Sequence, residues 1–549
     1  MKKGFLVCKK SKGRRFGLKK QNFIKGSIIL MISAAAAKIL GAVFRIPLTN
    51  ILGGIGMSYF SCAYSLFMPV YALTVTGLSS AVARMTAQST ALGMYANARK
   101  VRREALMIFS AAGIAGSLLI LLLAKPFSLY FTGSIEASAA VAMIAPAVFF
   151  GCMTAVERGY YEGMSNMYPT ALSQAAESVV KAAAGLFLCS YVTAHPVTVM
   201  RLFPGVTDIR GAAAAAGILG VTLSTAGAVI FFAVMRLFIH APQGGETFTM
   251  SRKAIAGELF STALPIGVSA LVTNLTALVD MWTVIWCISR FGSPAAAPTG
   301  ISEGELPQFI YGSFAGIALT VFSLVPSVTN MLGKGALTCI ASARGSGDKG
   351  ALEQGTMQAL LTSAVISVPA AAGIFVLAPQ ILAFLFPRQS DEAALCTSPL
   401  RYLMAGMVCL CVSYPLFSML QAVGKPAVPL KIMLAGTAVK LICNLLFIPF
   451  MGIDGAALST SVCYVLILAA SLWTYIRASG VRLRFSPFGR VMYSGAMCGG
   501  SAYLAACAAE RLGAPVFAVI GASAAVGGTV YIVLLSVLSV LPESCSGRG

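Results

Sequence analysis

What most constrains this chain is the grouping of its apolar residues into fourteen runs, each long enough to cross a hydrocarbon layer as a helix, with most of the charge confined between them. They lie near 26–48, 59–83, 105–130, 139–161, 170–193, 212–238, 256–286, 309–341, 356–385, 400–422, 430–449, 456–476, 491–509 and 514–541. Lipid offers backbone polar groups no hydrogen bonds, so such runs fold as helices rather than as open sheets. The expected fold class is an all-α polytopic membrane protein. Composition agrees: 58% of the 549 residues are hydrophobic, 11% are charged and mean hydropathy is +0.84, far from a soluble chain of this length.

The net charge of +22 does not point to nucleic acid, because most Lys and Arg sit in short segments between apolar runs, where they set topology. Residues 1–25 hold ten Lys or Arg and no acid, and the loop after the second run carries Arg99, Lys100, Arg102 and Arg103. The positive-inside rule then places both termini in the cytoplasm and the protein in the cytoplasmic membrane, with the basic tail near anionic lipid. The first run continues past its small residues Ser33 to Ala37 through Leu40 to Val43, which favours an uncleaved first span over a signal peptide.

Fourteen cysteines lie almost entirely inside apolar runs, and with two histidines in the chain neither a disulfide framework nor a metal site is expected. No nucleophile elbow, zinc-protease, Walker A or dinucleotide motif occurs in a suitable context. The reading is a protein that is not an enzyme and needs no cofactor beyond a monovalent cation or proton as coupling ion.

The chain also repeats itself. "EGMSNMYPTALSQAAESVVK" (162–181) follows the fourth run and "QAVGKPAVPLKIMLAGTAVK" (421–440) the tenth, and the spans after them open with "RGAAA" at Arg210 and "DGAAL" at Asp454. Two copies six spans apart keep one orientation. This implies two pseudo-symmetric six-helix bundles related by an axis along the membrane normal, plus two C-terminal helices. The expected divisions are a basic cytoplasmic tail (1–22), an N-terminal bundle (23–245), a C-terminal bundle (246–480), and the last two spans with the C-terminus (481–549).

The functional handle is charge that lipid does not tolerate. Lys38, Arg45, Lys181, Lys334 and Lys440 fall inside spans, against the acids Glu177 and Asp280. A cation at mid-bilayer costs roughly 2.5–3.5 kcal/mol on insertion scales, so these residues point into water, at a partner or at an anion. Lys38 and Arg45 are seven apart and share one helix face, with a rise of about 10 Å between them. Competing readings stand beside this one: Glu177 and Lys181 have the spacing of an intrahelical pair, Lys334 and Lys440 lie within snorkelling reach of helix ends, and Arg84 and Arg158 are topology anchors. Asp280, with Asn274 nearby, is a proton or cation site, a partner for a cavity Lys, or a helix-end residue.

The segments "AKILGAVFRIPL" (37–48), "LGGIGMSYFSCAYSLFMPVYALTVTGLSSAVARMTAQ" (52–88), "RGYYEGMSNMYPTALSQAAESVVK" (158–181) and "LQAVGKPAVPLKIMLAGTAVKLICNLLFIPF" (420–450) resemble the stage V sporulation protein B-like polysaccharide transporters. These belong to the multidrug/oligosaccharidyl-lipid/polysaccharide exporter superfamily, which includes the lipid II flippases. The resemblance implies a two-lobed, fourteen-helix flippase that carries an undecaprenyl-diphosphate-linked oligosaccharide or peptidoglycan precursor across the membrane by alternating access. It also implies a basic pair on the first helix facing the cavity, matched by Lys38 and Arg45, and a groove for the lipid tail on the last two helices. Lys181, Lys334 and Lys440 become further substrate contacts, and Glu177, Asp280 and Asn274 ion-coupling or pairing groups. The expected partners are the lipid-linked anionic glycan, membrane lipids and envelope-synthesis proteins. Two other functions fit such a chain: a cation-coupled multidrug antiporter of the same superfamily, and a non-transporting scaffold for envelope synthesis. The chain departs from the family pattern at "GLSSAVARM" (77–85) and lacks a proline near Thr338, changes that bear on gating and substrate rather than on fold.

Overall fold

Each described apolar run is helical in the computed structural model, which describes residues 23–202, 208–238, 250–292, 301–330, 340, 349–425 and 427–538. The first half comprises α1 (Phe23–Tyr71), α2 (Gly77–Ala91), α3 (Tyr95–Thr132), α4 (Ala137–Ile144), α5 (Pro146–Gly163), α6 (Tyr168–Ala194), α7 (Pro196–Leu202) and α8 (Ile209–Phe238). The second half comprises α9 (Arg252–Phe291), α10 (Leu306–Asn330), α11 (Lys349–Val376), α12 (Ala378–Leu385), α13 (Ser390–Ala422), α14 (Ala427–Met451) and α15 (Ile453–Ser479). The chain ends with α16 (Ser486–Arg511) and α17 (Val516–Val537). No strand occurs among the described residues.

Eleven helices among the described residues are long and apolar enough to cross a membrane, and one of these, Val43–Ala91, is 49 residues long. The Arg252–Phe291 and Ser486–Arg511 helices fall on two further expected runs without being among the eleven. The basic tail, the 245/246 division and Lys334 lie outside the described residues.

The Gly-rich stretch "LGGIGMSY" reads as a turn between two spans, and the structure narrows that turn to a single break at Gly53 (φ 65, ψ −178) in an otherwise helical stretch. A positive φ costs glycine little and a β-carbon much, so one residue makes the turn. Further along, Pro69 lacks an amide proton and is followed by a π-helical turn over Ala72–Thr76; α10 carries a second one over Phe314–Ala318.

The core is apolar, but so is much of the exposed surface. Leu122 and Phe450 are 77% and 83% exposed, whereas Thr283 and Asn444 are fully buried. Apolar side chains thus face the acyl chains, and polar ones are kept where protein groups satisfy them.

The halves meet through few helices. α9 packs on α1, α2 and α3, and α10 packs on α1. Small residues bring these backbones together. A β-carbon added to Gly312 would lie 1.7 Å from the Gly54 carbonyl oxygen, and one added to Gly77 would lie 2.1 Å from that of Ala263. The first contact is beside the Gly53 break; the second is at the start of α2.

Candidate functional site

The space left between those contacts is a cavity of about 420 Å³ bounded by α1, α6, α9 and α10. α10 contributes a stripe at four-residue spacing, Tyr311, Ala315, Leu319, Ser323 and Ser327, which is one face of a helix. α1 supplies Ser61, Tyr64, Ser65 and Met68 from beyond the break, and Gly41, Phe44 and Arg45 from before it. α9 supplies Asn274, whose amide donates to the Ala270 carbonyl at 2.7 Å, and α6 supplies Lys181.

Among the described residues, two cations line the cavity, Arg45 and Lys181, and no carboxylate does. Neither cation forms an ion pair among the described residues. The α1 backbone at Arg45 is tied down: the Thr49 hydroxyl donates to the Arg45 carbonyl at 2.8 Å and lies 3.2 Å from the Gly316 carbonyl of α10. The Lys181 Nζ stands 5.9 Å from the centre of the Phe44 ring, and a β-carbon on Gly41 would be 3.5 Å from it. Positive charge held in a partly dry space, ringed by hydroxyls and an amide, favours an anion that accepts charge-assisted hydrogen bonds.

A second cavity of about 270 Å³ shares Gly41 and Lys181 with the first and adds Ala37, Gln174, Glu177 and Ser178. The spacing of Glu177 and Lys181 suggested an intrahelical pair, but the carboxylate turns elsewhere: Glu177 Oε2 lies 2.6 Å from Nη2 of Arg158, whose Nε donates to Ser173 at 3.0 Å. Arg158 is thus more than the topology anchor expected of it. With Glu177 occupied on α5, Lys181 keeps its charge for the cavity.

Lys440 is a correction. It is not in the cavity lining and it does not snorkel; it is 3% exposed, with Nζ 2.5 Å from Asp280 Oδ2. Asn444 donates to Asp280 Oδ1 at 3.3 Å and to Thr283 at 2.8 Å, and Ser459 donates to Asn444. The cluster joins α9, α14 and α15. An ammonium buried there is tolerable only with a carboxylate and further hydrogen bonds, and Asp280 supplies the carboxylate. Asp280 is accordingly a pairing residue for Lys440. Lys38 lies on α1, seven residues before Arg45, but its side chain, like the whole of Lys334, is outside the described residues.

Polar links join the halves near the Gly53 break and again beside the basic loop. Near the Gly53 break, the Asn50 amide donates to the Leu385 carbonyl at 2.8 Å, Gln308 donates to the Thr132 carbonyl at 2.6 Å, and Arg210 is paired with Glu305. Partial burial works against the Glu305 carboxylate, but the Arg210 guanidinium outweighs it and holds that carboxyl below its ordinary value. At the other end, Arg252 lies 2.6 Å from Glu104, and the Met250 amide donates to Asn97 at 2.9 Å.

Charge counting along the spans finds Arg45 and Lys181 but misses the neutral lining. Tyr64, Tyr311, Ser323 and Ser327 carry no net charge and scarcely change hydropathy. Only the four-residue recurrence from Tyr311 to Ser327 marks that face in the sequence.

The profile of the polysaccharide biosynthesis protein family matches residues 23–337, and that of the MatE family residues 313–446. The chain is 24% identical over 459 residues to the lipid II flippase MurJ of Bacillus subtilis, covering 80% of each protein. It is also 24% identical over 484 residues to stage V sporulation protein B of the same organism, covering 85% of this chain and 86% of that one. Among solved structures, a lipid II flippase MurJ in an inward closed conformation superposes with a TM-score of 0.67 at 14% identity, over 94% of this chain and 98% of that one. With a family profile spanning more than half its length, the chain belongs to the polysaccharide biosynthesis protein family, a branch of the multidrug/oligosaccharidyl-lipid/polysaccharide exporter superfamily of membrane transporters and flippases.

Proposed function

We propose that the protein flips an undecaprenyl-diphosphate-linked oligosaccharide or peptidoglycan precursor across the cytoplasmic membrane by alternating access, for cell-wall, spore-cortex or polysaccharide synthesis. The observation that carries this reading is the cavity between helices whose wall, among the described residues, holds two cations and no carboxylate. Arg45 and Lys181 hold the diphosphate, and Lys38 joins them from the same helix face as Arg45, judged by residue spacing alone. Lys334 remains a candidate contact on its position in the chain. No covalent chemistry is required.

In the full proposal, fourteen spans form two six-helix bundles (23–245 and 246–480) followed by two helices, with both termini cytoplasmic. The cavity lies between the bundles. It opens to one face when the Asn50–Leu385 side parts, and to the other when the Glu104–Arg252 side parts. A head group with two negative charges moving outward across an inside-negative membrane gains about 4.6 kcal/mol per 100 mV, since each charge is worth about 2.3. That potential gives direction without a coupled ion, and with Asp280 occupied by Lys440 the described cavity wall holds no acid of the kind a cation antiporter would use.

Depletion of the protein tests the proposal in cells, with lipid-linked precursors assayed by leaflet. Precursor should accumulate on the cytoplasmic side. An unchanged leaflet distribution accompanied by altered drug sensitivity would refute the flippase and favour an antiporter.

A further inference from the structure

We infer that the smaller cavity between α1 and α6 is a sugar-reading subsite, which recognises the first pyranose of the cargo while the larger cavity holds the diphosphate. The inference rests on the function proposed above and adds a residue-level basis for choosing among diphosphate lipids.

The argument starts from polarity. The larger cavity presents cations and hydroxyls, a surface for an anion. The smaller one presents a different set: the Gln174 amide, the Glu177 carboxylate, Ser178 and the Lys181 ammonium. Gln174 Oε1 is buried and finds no hydrogen-bond partner among the described residues. Ser178 spends its proton on the Gln174 backbone carbonyl at 2.9 Å, which leaves its oxygen as an acceptor towards the cavity. Glu177 has one oxygen on Arg158 and keeps lone pairs free on the other.

A phosphate in this space would meet Lys181 but also the Glu177 carboxylate and the unsatisfied Gln174 Oε1, two groups that oppose an anion. A pyranose brings hydroxyl or amide protons to Gln174 Oε1, Ser178 and Glu177, and oxygen acceptors to Lys181. A buried acceptor left empty is costly, so a ligand that donates to it is favoured over one that cannot. Connectivity agrees with this assignment. Gly41 and Lys181 belong to both walls, so the cavities adjoin at the Lys181 ammonium, as a diphosphate adjoins the sugar it esterifies. A β-carbon at Gly41 would lie 3.5 Å from Lys181 Nζ, so the α1 backbone comes close to the ammonium that the two cavities share.

The test uses the full chain in nanodiscs and two probes, undecaprenyl diphosphate and undecaprenyl diphosphate bearing one N-acetylglucosamine. The wild type should bind the sugar-bearing lipid about tenfold more tightly, the size of one or two hydrogen bonds to a buried acceptor. Gln174→Leu should bring the ratio near one while leaving the affinity for the bare lipid unchanged, which also shows that the variant folds. The subsite is overturned if the wild type does not distinguish the probes, if Gln174→Leu keeps the wild-type ratio, or if it weakens both probes equally. Arg45→Gln separates the two layers of argument: it should weaken both probes alike, and if the bare lipid binds as before, the diphosphate site itself is wrong, whatever Gln174 does.

Discussion

At the scale of single residues, the chain holds two kinds of buried cation. Lys181 and Lys440 close the two halves of the sequence repeat, yet Lys181 faces a cavity and Lys440 is sealed against Asp280. The difference lies in the neighbours: Glu177 is drawn away from Lys181 by Arg158, whereas Asp280 has no competing cation among the described residues. Stability should separate the two kinds. Asp280→Asn leaves the Lys440 ammonium buried and unpaired and should cost about 3–5 kcal/mol, while the double variant Asp280→Leu with Lys440→Met should recover most of that loss. Thermal unfolding in detergent reads both. Arg45→Met should do the reverse, raising the melting temperature because an unpaired cation is removed, while abolishing transport. If Arg45→Met were destabilising by several kcal/mol, Arg45 would have to be a structural residue with a partner of its own.

At the scale of elements, close backbone approaches join the two halves of the chain beside the apolar side-chain clusters they share. Gly312 against Gly54 and Gly77 against Ala263 let α10 and α9 approach α1 and α2 more closely than any β-carbon permits. Gly312→Val therefore forces α10 off α1 and should cost about 1–3 kcal/mol in thermal stability. It should also expose Arg45→Cys, introduced as a reporter, to thiol reagents from the side of the Gly53 break. Wild-type stability and labelling in that variant would mean that the close approach is not a seal. These contacts also show what the sequence could and could not reveal. Helical character, the approximate span boundaries and the in-span charges are legible, because hydrophobic run length and the cost of burying a cation are local quantities. The narrowing of the Gly-rich turn to one residue at Gly53, the choice of Glu177 between Arg158 and Lys181, and the withdrawal of Lys440 from the cavity depend on which helices meet. Hydropathy carries no information on that.

At the scale of the whole molecule, polar links join the halves through Asn50 and Leu385 near the Gly53 break and through Asn97 and Met250 beside the basic loop. The proposed alternation requires each to part in turn. Cysteines placed at either pair and bridged by a short bifunctional thiol reagent should stop transport, and a reducible bridge should restore it on cleavage. The described native cysteines are buried or half-buried, which limits background reaction. Transport that continues with either end bridged would exclude alternating access through this cavity.

The central claim is that Arg45 and Lys181 hold a diphosphate in transit, and leaflet-resolved translocation of a labelled undecaprenyl diphosphate-sugar in proteoliposomes tests it most directly. The wild type should move the lipid towards the positive side of an imposed potential, and Arg45→Glu and Lys181→Glu, folded and reconstituted to the same level, should be at least tenfold slower. Translocation by both charge-reversed variants at the wild-type rate would contradict the account.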